Sequence, residues 1–458
     1  MGKKFSYFEP QMDGLSIPEI EDLLAPRLRR QIDYCYRNST FYQAKFKAAG
    51  ALPGDIKHYA DLRRLPVFMT KDDERQSQQE SLQKWGHPFG AHLCCPVEDL
   101  YLTGTTSGTT GVPTFTYTFT KKDLDFLAPR LAHRLKLCGV EKGDRALFFF
   151  PLGIYATTMT LWGLRLLGAL PIDIDARAGT ETFLKFADLA KPNVMACTPS
   201  LALYLLERCP QLLGYPVSQF KLKLLFTTGE PGICDPNTKK RLEEAYGCTV
   251  HDYWSPAGHA PGVSCWAAEY QGLHAVVPEV CTSYFDLLDP HTGQSVPLSE
   301  GAVGEMVHTS LQREAVPLVK YAYGDVVKIS LSECPGCGFK GIRAFLVGRS
   351  DDMLIVKGVN IYPAAVRSVV TKFRPQVTGE MRIVLDSPPP KVEPPLRLKV
   401  EHGENVSGDD LPGLARSIAQ ALHDELRLRP AVELVPPGSL PRSSRKTPVF
   451  EKLYEEKV

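Results

Sequence analysis

Between Arg145 and Tyr253 the chain repeats one pattern: a short apolar run, a turn, then a longer stretch with helical spacing. Ala146-Leu-Phe-Phe-Phe150 precedes a helical pattern over Thr158 to Leu167. Asn193 to Cys197 precedes Pro199 to Arg208, Leu222 to Phe226 precedes Pro236 to Tyr246, and Thr249 to Tyr253 forms the next strand. Asp235-Pro236 is a strong helix start, because Asp accepts bonds from the first free amides and Pro fits the first helical position. Apolar strands alternating with helices predict a mostly parallel sheet covered by helices on both faces. Ligands of such sheets bind outside the carboxyl ends of the strands.

The flanks differ. Ile17 to Ala48 reads as helix, and the Gln/Ser/Glu-rich stretch from Arg75 to Gln83 as a polar connection. From Thr282 to Leu346 the pattern is strand-rich. Gly348 to Val458 restarts a small alternation, with helical stretches at Tyr362 to Phe373 and Leu411 to Leu426 and a Pro-rich surface loop from Pro388 to Pro395. The expected fold class is α/β with α+β character. A large N-terminal region, 1–349, carries mixed or parallel sheets, and a small mobile α+β domain spans 350–458.

Charge narrows the function. Lys and Arg total 53 against 52 for Asp and Glu, so no cationic excess exists to neutralise a nucleic-acid backbone. Ala146 to Leu164 lacks charge but contains Pro151 and Gly153, which fits a strand, a turn and a helix better than a membrane span. The N-terminus, Met-Gly-Lys-Lys-Phe, has no apolar run behind it and does not read as a secretory signal. A cytoplasmic protein with reduced cysteines is expected.

Thr103 to Thr114 carries seven hydroxyl side chains and three glycines in twelve residues. Such a segment offers phosphate oxygens many donors on a backbone able to approach closely. It is not a Walker A loop, since no Lys-Ser/Thr follows the last glycine. By composition alone it reads equally well as a flexible surface loop.

Ser107-Gly-Thr-Thr-Gly-Val-Pro-Thr114 resembles the phosphate loop of the adenylate-forming acyl-CoA ligase superfamily, and the chain around it is similar to the phenylacetate-CoA ligase branch. Leu65-Pro66 with Thr70-Lys-Asp-Asp73 resembles that branch's N-terminal signature. Gly229-Glu-Pro231 resembles the segment beside adenine, and Tyr323-Gly-Asp325 the motif whose aspartate holds ribose hydroxyls. Gly348-Arg-Ser-Asp-Asp-Met-Leu354 with Lys357-Gly-Val-Asn-Ile-Tyr-Pro363 resembles the hinge motif, and Leu440-Pro-Arg-Ser-Ser-Arg-Lys446 the C-terminal lysine motif. Each motif alone is weak, but six in order, from about residue 60 to 450, are specific.

The resemblance implies two half-reactions. A carboxylate attacks the α-phosphate of ATP with Mg2+, giving an acyl-adenylate and pyrophosphate, and coenzyme A then displaces AMP. Thr106, Ser107, Thr109 and Thr110 are the phosphate-holding candidates, and Lys446 is the catalytic cation. Gly229, Glu230, Pro231, Asp252 and Tyr253 would line the adenine, with Asp325 and Arg349 at the ribose and Asp351 as hinge. Phe149, Tyr155 and His259 are the candidates for the acid pocket, whose aromatic character favours benzoate, aminobenzoate or phenylacetate types.

The alternatives are transfer to a carrier protein or an amine, or a nucleotide-binding protein with little turnover. The last is motivated by two departures: Val112 stands where the family loop usually has lysine, and Ala257 where it has a magnesium-holding glutamate. No membrane or nucleic-acid partner is expected, and a homodimer is left open.

Cys334-Pro-Gly-Cys337-Gly338 has the spacing of a metal knuckle, in which two thiolates can face one tetrahedral ion. With Cys265 and His274 it makes a Cys3His set suited to structural zinc, a site that some members of the resembled branch carry. Ordinary buried cysteines are the alternative.

Overall fold

The computed structural model describes residues 4–105, 113–150, 157–230, 232–254, 262–441 and 448–455. The alternating segment builds β1 (Arg145–Phe150), β2 (Leu170–Asp175), β3 (Val194–Cys197), β4 (Leu224–Thr227) and β5 (Thr249–Trp254). The strand-rich segment adds β6 (Gly262–Ser264), β7 (Leu273–His274), β8 (Leu287–Leu288), β9 (Ser295–Val296), β10 (Val303–His308), β11 (Tyr321–Ser330) and β12 (Arg343–Arg349). These strands form one sheet of twelve, in the order β9-β8-β10-β11-β12-β7-β6-β5-β4-β3-β1-β2. β1 to β5 pair in parallel, with Ala146 opposite Val194 and Phe148 opposite Ala196. From β5 through β6, β7 and β12 onward the pairing is antiparallel.

Because side chains alternate across a strand, β1 feeds two cores. Leu147 and Phe149 join Phe183, Leu184, Leu201 and Leu205 on one face; Ala146, Phe148 and Phe150 join Tyr253 and Tyr323 on the other. The Pro236–Tyr246 helix starts as its sequence dictates, with Asp235 accepting the Thr238 amide at 3.0 Å, and ends at Gly247, whose φ of 65° suits glycine.

The stretch 75–83, expected as a polar connection, is instead the middle of a helix, Lys71–Trp85. Thr70 and Asp73 cap it reciprocally, and Glu74, Ser77, Gln78 and Ser81 are buried along its inner face. Its core-facing stripe is hydrogen-bonding rather than apolar, so hydrophobic periodicity has nothing to detect.

A third core, from Leu354 to Leu428, shares no residue with the other two. It packs the Pro363–Thr371 and Leu411–Leu426 helices on a sheet ordered Pro430–Val435, Leu396–His402, Val377–Leu385, Phe450–Lys452. Within the Pro-rich loop a short strand, Lys391–Val392, pairs with Leu354–Val356. Among the described residues no helix is long and apolar enough to cross a membrane.

Candidate active site

The described stems of the Gly/Thr/Ser loop are firmly held. Thr103 and Thr118 share a hydroxyl bond of 2.8 Å, and the Gly104 amide donates to the Tyr117 carbonyl at 3.0 Å. The Lys71–Trp85 helix braces the outgoing stem: Gln78 accepts the Phe115 amide at 2.6 Å and donates to the Pro113 carbonyl at 3.1 Å. Lys71 Nζ lies 2.9 Å from Glu74 and within 3.3 Å of both the Thr114 and Thr116 hydroxyls. Glu74 also accepts from Tyr321 at 2.9 Å and from Thr116. Burial raises the Glu74 carboxyl, but Lys71 and these donors outweigh it and hold it below its ordinary value. From the other side buried Arg313 donates to the Thr116 and Thr118 carbonyls at 3.0 and 2.7 Å. Lys71 therefore places a cation at the foot of the Gly/Thr/Ser loop. Lys71 belongs to the Thr70-Lys-Asp-Asp73 motif, but spacing alone does not place it beneath this loop.

The carboxyl ends of β4 and β5 carry the next candidates. Gly229 follows β4 with φ of 93°, open to glycine without strain. Glu230 accepts the Ser200 amide at 2.7 Å, so its carboxylate is committed to the start of the Pro199–Leu213 helix, where the dipole favours it. Asp252 accepts the Tyr270 hydroxyl at 2.8 Å, and burial pushes its carboxyl up to about 7. Tyr253 is fixed by Arg134, whose guanidinium lies 4.3 Å from the ring centroid and donates to the hydroxyl at 2.7 Å. In sequence Arg134 is only an arginine within the leucine-rich stretch 121–137, outside every motif; its burial comes from the fold.

Trp254 brings β5 toward β11, its ring 6.5 Å from that of Tyr323. Two residues on, Asp325 stands directly opposite Arg349 across the β11/β12 ladder, and Arg349 donates to it at 2.7 Å. The same guanidinium donates to the Tyr323 carbonyl at 2.9 Å and to both carboxylate oxygens of Asp351, at 2.8 and 2.7 Å. Burial works against the charge of Arg349, but Asp325 and Asp351 keep it firmly protonated. Ribose candidate, arginine and hinge candidate thus form one ionic unit at the end of the large sheet.

Phe149, expected to line the acid pocket, stacks 4.0 Å from Phe183 in the core on the opposite sheet face from Tyr253. The two-residue period of β1 leaves Phe148 and Phe150 on the Tyr253 face instead. Thr106, Ser107, Thr109, Thr110, Tyr155, Pro231, His259 and Lys446 lie outside the described residues, as do Val112 and Ala257.

Cys265, His274, Cys334 and Cys337 converge, with their ligand atoms within 4.8 Å of one another. Sγ of Cys265 is 3.9 Å from Sγ of Cys334, and Sγ of Cys337 is 3.3 Å from Nε2 of His274. A tetrahedral zinc with bonds of about 2.3 Å to sulfur sets thiolates about 3.8 Å apart, so the spacing fits an ion and excludes a disulfide. His274 Nδ1 donates to the Val263 carbonyl at 3.2 Å, which turns the Nε2 lone pair inward. Phe5 and Phe339 flank the imidazole at 5.0 and 5.4 Å, and Gly336 admits Ala267, whose Cβ would lie 2.4 Å from an added Cβ.

A parallel sheet continued by antiparallel strands, with Asp325, Arg349 and Asp351 joining it to a separately cored C-terminal segment, is the architecture of an adenylate-forming enzyme. Residues 43–312 match the AMP-binding enzyme family and 358–452 the AMP-binding enzyme C-terminal domain. The chain belongs to the AMP-binding enzyme family, in its phenylacetate-CoA ligase-like branch. It is 31% identical to the phenylacetate-coenzyme A ligase of Thermus thermophilus, over 95% of this chain and 97% of that one. It superposes on 2-hydroxyisobutyryl-CoA ligase in the postadenylation state, in complex with 2-HIB-AMP, with a TM-score of 0.85 and 27% identity, over 98% of this chain and 93% of that one. With the same enzyme in the thioesterification state, holding 2-HIB-AMP and CoA, the TM-score is 0.68 at 28% identity and the same coverage.

Proposed function

We propose that the protein is an AMP-forming aryl-CoA ligase. It activates an aromatic carboxylic acid of the benzoate, aminobenzoate or phenylacetate type with ATP, then transfers the acyl group from AMP to coenzyme A. The observation that carries this is the Asp325–Arg349–Asp351 unit, which ties the ribose candidate to the hinge candidate through one guanidinium. Neither half-reaction needs a covalent enzyme intermediate, so catalysis rests on position and charge. The hydroxyl loop, braced from below by Lys71, holds phosphates; Lys446 meets the charge that develops on the α-phosphate during acyl attack. Magnesium entering with ATP would supply further positive charge there.

Residues 350–458 act as a small mobile domain turning about Asp351. The turn withdraws Lys446 and presents the Lys357–Ile361 segment to the thiol. The Cys3His set would hold a structural zinc, which would tie the turn after β11 to β6 and β7. The aromatic residues on the Tyr253 face of β1, Phe148 and Phe150, support an aryl substrate.

The test is ATP–pyrophosphate exchange across a panel of aromatic acids, followed by product analysis with coenzyme A, a carrier protein or an amine as sole acceptor. Exchange with an aromatic acid that falls at least about a hundredfold in Lys446→Ala is expected. Absence of exchange with every acid overturns the proposal, and products formed only with carrier protein or amine overturn the acceptor.

A further inference from the structure

The stretch Phe5–Glu9 belongs to no motif and to no helix or strand, yet one side of it is laid against the Cys3His set. Phe5 is buried, its ring 5.1 Å from Trp266, the neighbour of Cys265, and 5.0 Å from His274. The Tyr7 ring lies 5.1 Å from Phe339, which flanks His274 and whose carbonyl accepts the Cys334 amide at 2.8 Å. Gly341 admits the Tyr7 hydroxyl, which an added Cβ would meet at 2.2 Å. The Phe8 amide donates to the carbonyl of Val276, two residues beyond His274, at 2.9 Å. Phe5 and Tyr7 thus rest on His274 itself and on the neighbours that fix the candidate cysteine ligands.

The other side of the same stretch is seated on the Lys121–Leu137 helix. The Ser6 carbonyl accepts from His133 Nε2 at 3.0 Å. The Phe8 ring lies 5.6 Å from that of His133 and 4.5 Å from the guanidinium carbon of Arg130. Glu9 accepts from Arg130 at 3.1 Å and from Arg27 at 2.8 Å, and Arg130 also donates to buried Glu279 at 2.9 Å. The residue after His133 is Arg134, which holds the Tyr253 hydroxyl at 2.7 Å. A stretch without regular structure of its own is ordered only by what it touches, so its order depends on both seats.

We propose that Phe5–Glu9 is a metal-dependent strap that links the Cys3His set to the helix holding Tyr253. The proposal rests on the zinc reading of that set and not on the identity of the acid or the thiol. Ligation of one ion by residues of β6, β7 and the knuckle fixes Trp266, His274 and Phe339 relative to one another, and these form the seat of Phe5 and Tyr7; without an ion the knuckle loses the bonds that hold it there. In return the two rings complete the apolar shell that keeps solvent and competing ligands from the ion. Such coupling is reciprocal: whatever the ion contributes to docking the strap, the docked strap contributes to retaining the ion. Glu9 touches none of the candidate ligands, yet by anchoring the far end to Arg130 and Arg27 it too slows loss of the ion. Metal at the set thereby steadies the helix turn that carries Arg130, His133 and Arg134.

The experiment compares the full-length chain loaded with zinc and the same chain stripped by chelator under reducing conditions, with metal content measured in both. Hydrogen exchange followed by mass spectrometry is expected to show the Tyr7 and Phe8 amides exchanging at least about tenfold faster after stripping, while those of β1 change far less. Zinc transfer to a chromophoric chelator is expected to be at least about tenfold faster from Phe5→Ala than from wild type, and Phe5→Leu recovers most of the difference, which separates loss of cover from loss of fold. Glu9→Gln speeds transfer by about threefold or more. Equal exchange of Tyr7 and Phe8 with and without metal, exchange that rises equally in β1, or unaltered transfer in Phe5→Ala overturns the coupling. Unaltered transfer in Glu9→Gln reduces the stretch to a local cover and overturns the strap. A chain that takes up no zinc overturns the metal site beneath the proposal, which the metal analysis reads directly. Failure of every aromatic acid in the exchange assay would leave all of these measurements readable and would count against the ligase reading alone.

Discussion

Asp252 allows the electrostatics at the carboxyl end of β5 to be measured directly. Its carboxyl ordinarily titrates at 3.8, and burial pushes it up to about 7, with the bonds from the Tyr270 hydroxyl and the Tyr253 backbone opposing. In the unfolded chain this group is ionised above about pH 4, whereas the folded chain keeps its proton to about pH 7. Over that window the native state binds more protons than the unfolded one, so stability falls as pH rises. A separation of about 3 pH units at about 1.4 kcal/mol each sets a ceiling of about 4 kcal/mol. Solvent reaches one side of the residue and reduces this to about 2 kcal/mol.

Asp252→Asn is neutral in both states, has nearly the same shape, and still accepts from Tyr270. Relative to wild type, the variant should gain about 2 kcal/mol between about pH 4.5 and pH 8, whatever the constant offset between them. Urea unfolding of ligand-free protein at closely spaced pH values, followed through tryptophan fluorescence, measures the difference. Parallel stability curves for the two proteins would show that Asp252 is ionised in the folded chain and that its surroundings do not exclude charge.

Glu74→Gln removes the anion that Lys71, Tyr321 and Thr116 share and leaves Lys71 unpaired beneath the loop. A loss of about 3 kcal/mol is expected, with a raised KM for ATP, read by denaturant unfolding and initial rates. Arg134→Met keeps the bulk under Tyr253 but removes its charge and hydrogen bond. The KM for ATP should rise about tenfold with kcat changed far less, and an unaltered KM would detach Tyr253 from nucleotide binding. Cys334→Ser should lower bound zinc from about one per chain to a small fraction, by metal analysis of protein purified without chelator, and should lower Tm. Equal zinc content in both proteins would remove Cys334 from the ligand set.

The helices that sequence located best are those with a full local signal. Pro236–Tyr246 has an Asp-Pro start and a glycine stop, and Leu411–Leu426 has an apolar stripe of Leu414, Ile418 and Leu422. The Lys71–Trp85 helix was missed because its buried face is Glu74, Ser77, Gln78 and Ser81, whose reason for burial is a loop forty residues away. Phe149 shows a different limit. Strand periodicity requires it to face away from Phe148 and Phe150, but which face meets the nucleotide depends on the neighbours of β1, and these come from β3 and the helices. Likewise, Cys334 and Cys337 announce themselves by spacing. Cys265 and His274 reach them only because β6 pairs with β7 and β7 with β12, with His274 opposite both Val263 and Arg343.

The seam between the two regions is built of polar and charged contacts rather than apolar packing, which fits an interface that must open in the proposed cycle. At the proposed pivot, Arg349 is held by Asp325, Asp351 and the Tyr323 carbonyl. Its bond to Asp325 lies within one region's sheet and can persist through rotation, while the bond to half-exposed Asp351 is the kind worth about 1 kcal/mol or less. Away from that point, Thr371 reaches Asp235 across the seam at 3.5 Å, and Arg241, Asp235 and Glu380 all bear on Arg374, so charge of both signs meets there. A joint held at its axis and near electrostatic balance at its far edge needs only differential binding worth a few kcal/mol to set its position.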